Sequence, residues 1–96
     1  MITETAKVKD IRLSCSPLPA IITDLEGHDG RPYSFFLDLD VDKMTLINYF
    51  KAIGVSDTYN AKGRECWIQV KNGVCVDIAN INTQLWVKAS IQKGMN

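Results

Sequence analysis

The sequence predicts a small α+β domain, either an antiparallel sheet with one helix or an OB-like barrel. Short runs of alternating apolar and polar residues, separated by turn residues, are typical of antiparallel strands. One segment, at about 42–53, instead repeats its apolar residues every three or four positions, as one face of a helix does. The resulting order is β-β-β-α-β-β with a further strand at 85–91. The OB fold has the same order, with its single helix between the third and fourth strands.

Three strands are predicted before the helix. The first is indicated by three apolar residues that alternate on one face: Ile11, Leu13 and Cys15. Val8 is out of phase with them, which indicates a bulge or a later start of the strand. The second strand is expected at 20–26 and the third at 33–41. Residues 1–6 are short and polar, so we expect a loose N-terminus, and we expect the same of 92–96.

A hairpin over 64–81 is the most strongly predicted element, because Asn72-Gly73 is a frequent two-residue turn. That turn would pair Lys71 with Val74 and put the apolar residues of its two strands on opposite faces. A three-residue turn pairs Val70 with Val74 and collects six apolar residues on one face: Cys66, Ile68, Val70, Val74, Val76 and Ile78. Because a shift of one residue turns every side chain to the other face, we expect this second register. It places Trp67 opposite Asp77 on the other face.

The predicted helix has recognisable ends. Its apolar stripe consists of Met44, Leu46, Ile47, Phe50 and Ile53. Asp42 fits the N-cap position, since its carboxylate can accept a hydrogen bond from the first turn. Gly54 fits the left-handed position that follows the last turn of many helices.

Composition narrows the classes of function. The chain has 96 residues, which is enough for one domain with one hydrophobic core. Its 11 basic and 11 acidic residues give a formal net charge of zero. Proteins that bind the phosphate backbone depend on clustered lysine and arginine, so nucleic acid is a less favoured partner than protein. The low net charge is compatible with a homo-oligomer.

The cysteines and the N-terminus indicate a cytoplasmic protein. Three cysteines make an odd number with no metal-ligand spacing, so we expect reduced thiols and not a disulfide framework. The first residues contain no apolar run typical of a signal peptide, and no apolar stretch is long enough to span a membrane.

The main candidate for a binding site is a set of residues that lie off the predicted core. Trp67 faces away from the apolar set of the hairpin, while Trp86 and Phe36 lie off the apolar stripes of their own strands. The candidate interaction face is Trp67, Gln69, Cys75, Asp77, Trp86 and Phe36. Exposed tryptophans are frequent anchors of protein–protein interfaces, and in an OB barrel aromatic rings can stack on bases. A second layer, a dimer partner or the helix could instead cover these rings.

Other clusters indicate structure more than catalysis. Carboxylates at Asp38, Asp40 and Asp42 could hold a divalent cation, but the spacing that would complete an EF-hand loop is missing. His28 lies in a glycine-flanked turn near several acidic residues, where an exposed polar residue is expected in any case. Cys66 alternates with core residues. We therefore expect no catalytic residue, no metal site and no cofactor.

The segment LINYFKAIGVSD and the following KGRECWIQVKNGVCVDI resemble the C-terminal half of small phage- and prophage-encoded proteins of unassigned function. The resemblance covers roughly 46–78: a helix that ends in Gly-Val, followed by a Lys-Gly-Arg hairpin. The resemblance implies a biological context, because small phage proteins often bind and block one host component, including defence nucleases. It implies no catalytic residue.

The sequence therefore predicts a non-enzymatic binding protein, in the form of a phage-encoded inhibitor that occupies the surface of a host defence protein. The alternative is an OB-type protein that binds single-stranded nucleic acid or a nucleotide.

Overall fold

The fold is one antiparallel sheet of six strands with one helix packed against it. The computed structural model describes residues 1–15, 19–54 and 60–90. In chain order its elements are β1 (Ile2–Ser14), β2 (Ala20–Gly27), β3 (Pro32–Asp38), α1 (Lys43–Ala52), β4 (Glu65–Lys71), β5 (Val74–Asn80) and β6 (Trp86–Lys88). This confirms the α+β class and the order of the elements. The predicted end of the last strand at Ile91, and the predicted loose C-terminus, lie outside the described residues.

The central strand, β1, pairs with two neighbours. The strands are ordered β3-β2-β1-β4-β5-β6. The first half of β1 pairs with β4, and the second half pairs with β2. The pairing with β2 shifts by one residue between Val8 and Asp10, so the predicted bulge is confirmed. Because a bulge bends its strand, β1 can belong to both halves of a curved sheet.

The prediction of a loose N-terminus is wrong. Pairing with β4 begins at Ile2, which lies opposite Val70, and continues to Lys7. Ala6 and Val8 are buried in the core, whereas Leu13, which was expected to face the core, is 72% exposed. The physical reason lies in β4, whose backbone N–H and C=O groups on one side need hydrogen-bond partners. A polar strand supplies such partners as well as an apolar strand does.

The hairpin of β4 and β5 has the other register. Asn72 and Gly73 both have positive φ, at 53° and 79°, as a two-residue type I′ turn requires. Lys71 therefore pairs with Val74, and Val70 pairs with Cys75. The register then shifts by one residue, so Val76 is the extra residue of a bulge. The bulge brings the second half of β5 back into phase, and its inward face is buried without a three-residue turn.

Both predicted ends of α1 are confirmed. The carboxylate of Asp42 accepts a hydrogen bond from the backbone N–H of Thr45 at 2.7 Å. Gly54 follows the helix with φ of 75°, a conformation that costs glycine little. The helix has ten residues, and among the described residues no helix combines the length and the apolar character needed to cross a membrane.

The buried face of α1 differs in part from the predicted stripe. Ile53 is buried as expected, but Met44 and Ile47 are exposed. Tyr49 occupies the centre of the contact instead, because its ring stacks on Phe35 and a hydrogen bond joins its hydroxyl to that of Thr23. Burial raises the pKa of Tyr49 to about 12, so this hydroxyl stays protonated and can keep the bond.

The two ends of the sheet approach each other without a backbone ladder between them in the described ranges. The N–H of Ala89 donates to the carbonyl of Val76 at 2.8 Å, and the N–H of Ser90 donates to the carbonyl of Phe36 at 2.8 Å. The hydroxyl of Ser90 accepts a bond from the N–H of Asp38 at 3.0 Å. The residues after β6 therefore connect β5 to β3. The sheet is curved and remains open.

Candidate functional site

Two rows of residues cross the outer surface of β4, β5 and β6, on the side opposite the core. Trp67, Ala79 and Trp86 form the first row, since each lies directly opposite the next in the ladder. In the second row Gln69 lies opposite Asp77, which lies opposite Lys88. We call this surface the tryptophan face. It consists of Trp67, Gln69, Asp77, Ala79, Trp86 and Lys88.

The two tryptophans have different environments. Trp67 is half-buried, and its indole N–H donates to the carbonyl of Ile81 at 3.2 Å. Trp86 is 38% exposed. Between them Ala79 is fully buried although it points outward, because its neighbours on both sides carry large rings. The first row therefore has one anchored ring and one ring that is open to solvent.

The second row pairs opposite charges. Asp77 is 8% exposed, and burial raises the pKa of its carboxyl, while the charge of Lys88 acts in the other direction. Burial is the larger of the two effects. The row therefore contains a carboxylate that loses much of its hydration to the neighbouring side chains and still faces a cation across the ladder.

Cys75 does not belong to this surface, and the prediction that it faces away from the core is wrong. It lies opposite Val70 and is 1% exposed. Burial raises the pKa of Cys75 to about 12, and it does the same for Cys66. Since the thiolate is the nucleophile, neither thiol is activated. The misplacement follows directly from the two-residue turn and the bulge at Val76.

Phe36 also lies apart from the two rows. It is on β3, the opposite edge strand of the sheet, and is half-buried opposite Ile22 of β2. Arg12 of β1 lies on the other side of Ile22. The predicted candidate face is thus divided: four of its residues lie on the tryptophan face, while Phe36 lies on the outer surface of β1, β2 and β3.

The acidic residues near His28 have other partners. The carboxylate of Asp24 accepts two bonds from the guanidinium of Arg12, at 2.9 and 3.0 Å, and the pKa of Asp24 is lowered by these bonds and by the charge of Arg12. Glu26 pairs with Lys9 at 3.3 Å. The His28 side chain is on an exposed turn, where its backbone N–H donates to Glu4. This arrangement does not build a catalytic group around the histidine.

The carboxylates that were considered as ligands of a divalent cation have other positions in the structure. Asp42 serves as the helix cap, and Asp40 lies on the exposed turn before it. Within the described part of the chain, no cluster of three or more histidine, cysteine or acidic residues has the geometry to hold a metal ion.

Sequence reasoning missed the importance of Ala79 and Lys88. The predicted hairpin already puts Ala79 on the same face as Trp67, and alternation along the last strand puts Lys88 on the same face as Trp86. The pairing of β6 with β5 joins these two faces into one surface, because its register sets Trp86 opposite Ala79. That step has no local signal in the sequence.

Comparison of the chain with models of known protein families gives no match, and comparison with curated protein sequences gives none either. The geometry of the tryptophan face therefore carries the functional argument.

Proposed function

We propose that the protein is a non-enzymatic binding protein that acts in the cytoplasm and docks its tryptophan face on the surface of another protein. The observation that carries this proposal is the row of Trp67, Ala79 and Trp86. An anchored ring beside an exposed ring, with a charged pair in the next row, combines an apolar centre with a polar rim. Interfaces between proteins have this composition, and tryptophan is enriched among the residues that dominate their affinity.

The charges of the sheet favour protein over a phosphate backbone as the partner. Four of the basic residues of the sheet and its loops are already paired with carboxylates: Lys9, Arg12, Arg31 and Lys62. A phosphate-binding surface needs basic groups that are available to the ligand. The buried thiols and the paired carboxylates around His28 are likewise what we expect of a protein without a reaction to catalyse.

The test removes the exposed ring and compares the result with a matched change elsewhere. The wild-type chain is used to capture its partner from a lysate of the host cell, and the affinity for the purified partner is then measured by calorimetry. Trp86→Ala should weaken binding by about tenfold or more, as loss of a central aromatic anchor does. Leu13→Ala removes an apolar side chain on a distant part of β1 that is even more exposed, at 72% against 38% for Trp86, so this control should bind like the wild type.

Two results would count against the proposal. One is the absence of any partner captured in stoichiometric amount. The other is a partner whose affinity is the same for Trp86→Ala and the wild type, since the interface would then lie elsewhere.

The strand order favours a second candidate, an OB-type barrel that binds single-stranded nucleic acid or a nucleotide. Strands ordered 3-2-1-4-5, with the helix between the third and fourth, have the connectivity of that fold. OB folds bind ligands on the outer surface of their second and third strands. Here that surface carries Phe36, with Ile22 and Arg12 beside it.

This candidate predicts a different set of effects. A fluorescein-labelled single-stranded oligonucleotide should bind at low salt, and the affinity should fall as salt is raised. Phe36→Ala should weaken that binding, whereas Trp86→Ala should leave it unchanged. An oligonucleotide that does not bind at low salt excludes the candidate.

The proposal that the partner is a host defence protein, and that the chain is a phage-encoded inhibitor, is supported by the sequence resemblance alone. Phage genes on both sides of the coding sequence would support it. A chromosomal operon of cellular genes would contradict it.

A further inference from the structure

β5 and β6 carry complementary residues in both rows of the tryptophan face. In the first row Ala79 of β5 lies opposite Trp86 of β6, and in the second row Asp77 of β5 lies opposite Lys88 of β6. β5 therefore presents a small residue and an acid, whereas β6 presents a large residue and a base. The two strands are complementary to each other in size and in charge.

A two-fold axis can place each of these strands over the other strand of a second copy. The axis lies in the plane between two facing sheets, runs along the strands, and passes over the line between β5 and β6. Rotation about it brings β5 of one copy over β6 of the other, and it keeps each row at the same position along the strands. Every pair of residues in such a contact occurs twice. Aligned packing, with strand directions within about 30° of each other, is a common arrangement of two sheets.

The second row supplies two ion pairs to this arrangement, because Asp77 of each copy lies over Lys88 of the other. Within one chain the two residues are neighbours in the ladder, but the ion pairs among the described residues do not include one between them. Asp77 has lost most of its hydration, since it is 8% exposed. A second ammonium group over this carboxylate therefore supplies an interaction that one chain provides only in part.

The first row supplies contact between aromatic rings. Ala79 is fully buried between Trp67 and Trp86, so the surface over it consists of their rings. Trp86 of the other copy lies over this surface, and the same contact is repeated in the other direction. Since 38% of Trp86 is exposed, the arrangement covers apolar surface that one chain leaves in water.

The charges select this position of the axis and identify the occupant. An axis directly over β5 would place Asp77 over Asp77 of the other copy, and an axis over β6 would do the same with Lys88. Like charges that face each other repel, so both shifts are disfavoured. A different protein would need a base, an acid and an apolar side chain in the matching order, which a second copy already has. The formal net charge of the chain is zero, so two copies do not repel each other at long range.

We propose that two copies of this chain associate through the tryptophan face, with β5 of each copy over β6 of the other. Every residue of this contact belongs to the described part of the chain. The inference rests on the proposed function, because it takes the tryptophan face as a docking surface and names a second copy as an occupant. The contact covers a few short strands, which is less than stable complexes bury, so monomer and dimer should exchange in the micromolar range or above.

Sedimentation equilibrium of the full-length chain, from about 10 µM to about 1 mM, tests the inference. The wild type should show an equilibrium between monomer and dimer within this range. Trp86→Ala removes the ring that covers the first row of the other copy, so association should weaken by about tenfold or more. Leu13→Ala removes an exposed apolar side chain on a distant part of β1, so this control should associate like the wild type.

Reversal of single charges separates this contact from any other dimer. Lys88→Glu places an acid over Asp77 of the other copy, and Asp77→Lys places a base over Lys88, so each variant alone should be monomeric. An equimolar mixture of the two variants brings opposite charges together at both positions. The mixture should therefore form a heterodimer, measured by sedimentation with one variant carrying a fluorescent label.

Three results would overturn the inference. The first is a wild-type chain that is monomeric at about 1 mM, and the second is a dimer that Trp86→Ala leaves unchanged. The third is a mixture of the two charge variants that associates no more strongly than either variant alone.

The same measurements keep the dimer and the proposed function apart. A monomeric wild type whose captured partner is bound more weakly by Trp86→Ala overturns the dimer and supports the proposed function. A dimer with the expected response to Trp86→Ala, in a chain that captures no other protein, supports the dimer and contradicts the proposed function.

Discussion

The two outer surfaces of this sheet use their polar residues in opposite ways. On β1, β2 and β3, Asp24 is held by Arg12 and by the hydroxyl of Ser34, and Lys9 pairs with Glu26. The charged groups of that surface satisfy one another. On β4, β5 and β6, Trp86 is open to solvent and Asp77, a carboxylate in the neighbouring row, is partly desolvated.

The pKa shifts of two aspartates express the same difference. Bonds from Arg12 lower the pKa of Asp24, whereas burial raises the pKa of Asp77. A lowered pKa means that the fold stabilises the charged carboxylate, and a raised pKa means that the fold disfavours it. A surface that keeps a disfavoured charge near an exposed aromatic ring is suited to binding, because a partner can supply the missing interactions.

The largest expected effect tests where the tryptophan face ends. Cys15 is exposed, while Cys66 and Cys75 are buried. A rise in the pKa of a buried thiol from 9.0 to about 12 lowers its thiolate fraction at about pH 8 by roughly a thousandfold. We therefore expect one thiol per chain to react rapidly with an aromatic disulfide reagent, and all three to react after unfolding in urea.

Replacement of single cysteines identifies the reactive group. Cys15→Ser should abolish the rapid phase, and Cys75→Ser should leave it unchanged. Two rapid thiols that fall to one in Cys75→Ser would place Cys75 on the outer surface and break the division between the two faces.

The next effect separates the two tryptophans. Trp67→Ala removes a half-buried ring, its bond to Ile81 and the cover of Ala79, so the free energy of unfolding should fall by about 2 kcal/mol. Trp86→Ala removes an exposed ring and should change it by about 0.5 kcal/mol or less. Urea unfolding followed by circular dichroism measures both. Equal losses would show that Trp86 is a structural residue and would remove the main reason to treat it as a binding anchor.

Local features of the fold were predictable and long-range pairings were not. The residue types of Asp42 and Gly54 predict the two ends of the helix, and Asn72-Gly73 predicts the turn of the hairpin. The pairing of residues 2–7 with β4 depends on a strand that is distant in sequence. An isolated polar segment gives no sign of such a partner.

The register of the hairpin shows a second limit. Pairing at Ile68 and Ile78 requires one extra residue, and Val76 supplies it as a bulge. The bulge leaves no sign in the pattern of apolar and polar residues, because valine is acceptable on either face of a strand. The prediction therefore placed Cys75 outside. For Trp67 and Trp86 alternation gave the correct outer faces. The predicted register set Trp67 opposite Asp77, however, and only the observed pairings of β4 and of β6 with β5 show that the two rings flank Ala79.

The smallest effect tests the opposite shifts of the two aspartates directly. The lowered pKa of Asp24 contributes stability that is present above the ordinary value of 3.8 and is lost as the pH falls through the folded value. The raised pKa of Asp77 does the reverse, so stability falls as the pH rises from 3.8 through the folded value. At about pH 7, Asp24→Asn should be less stable than the wild type and Asp77→Asn more stable, each by less than the change in Trp67→Ala. Urea midpoints across about pH 3 to 7 should show that Asp24→Asn loses less stability on acidification, whereas Asp77→Asn loses more. If both variants shift the midpoints in the same direction, burial does not disfavour the charge of Asp77, and the tryptophan face holds no carboxylate whose missing interactions a partner could supply.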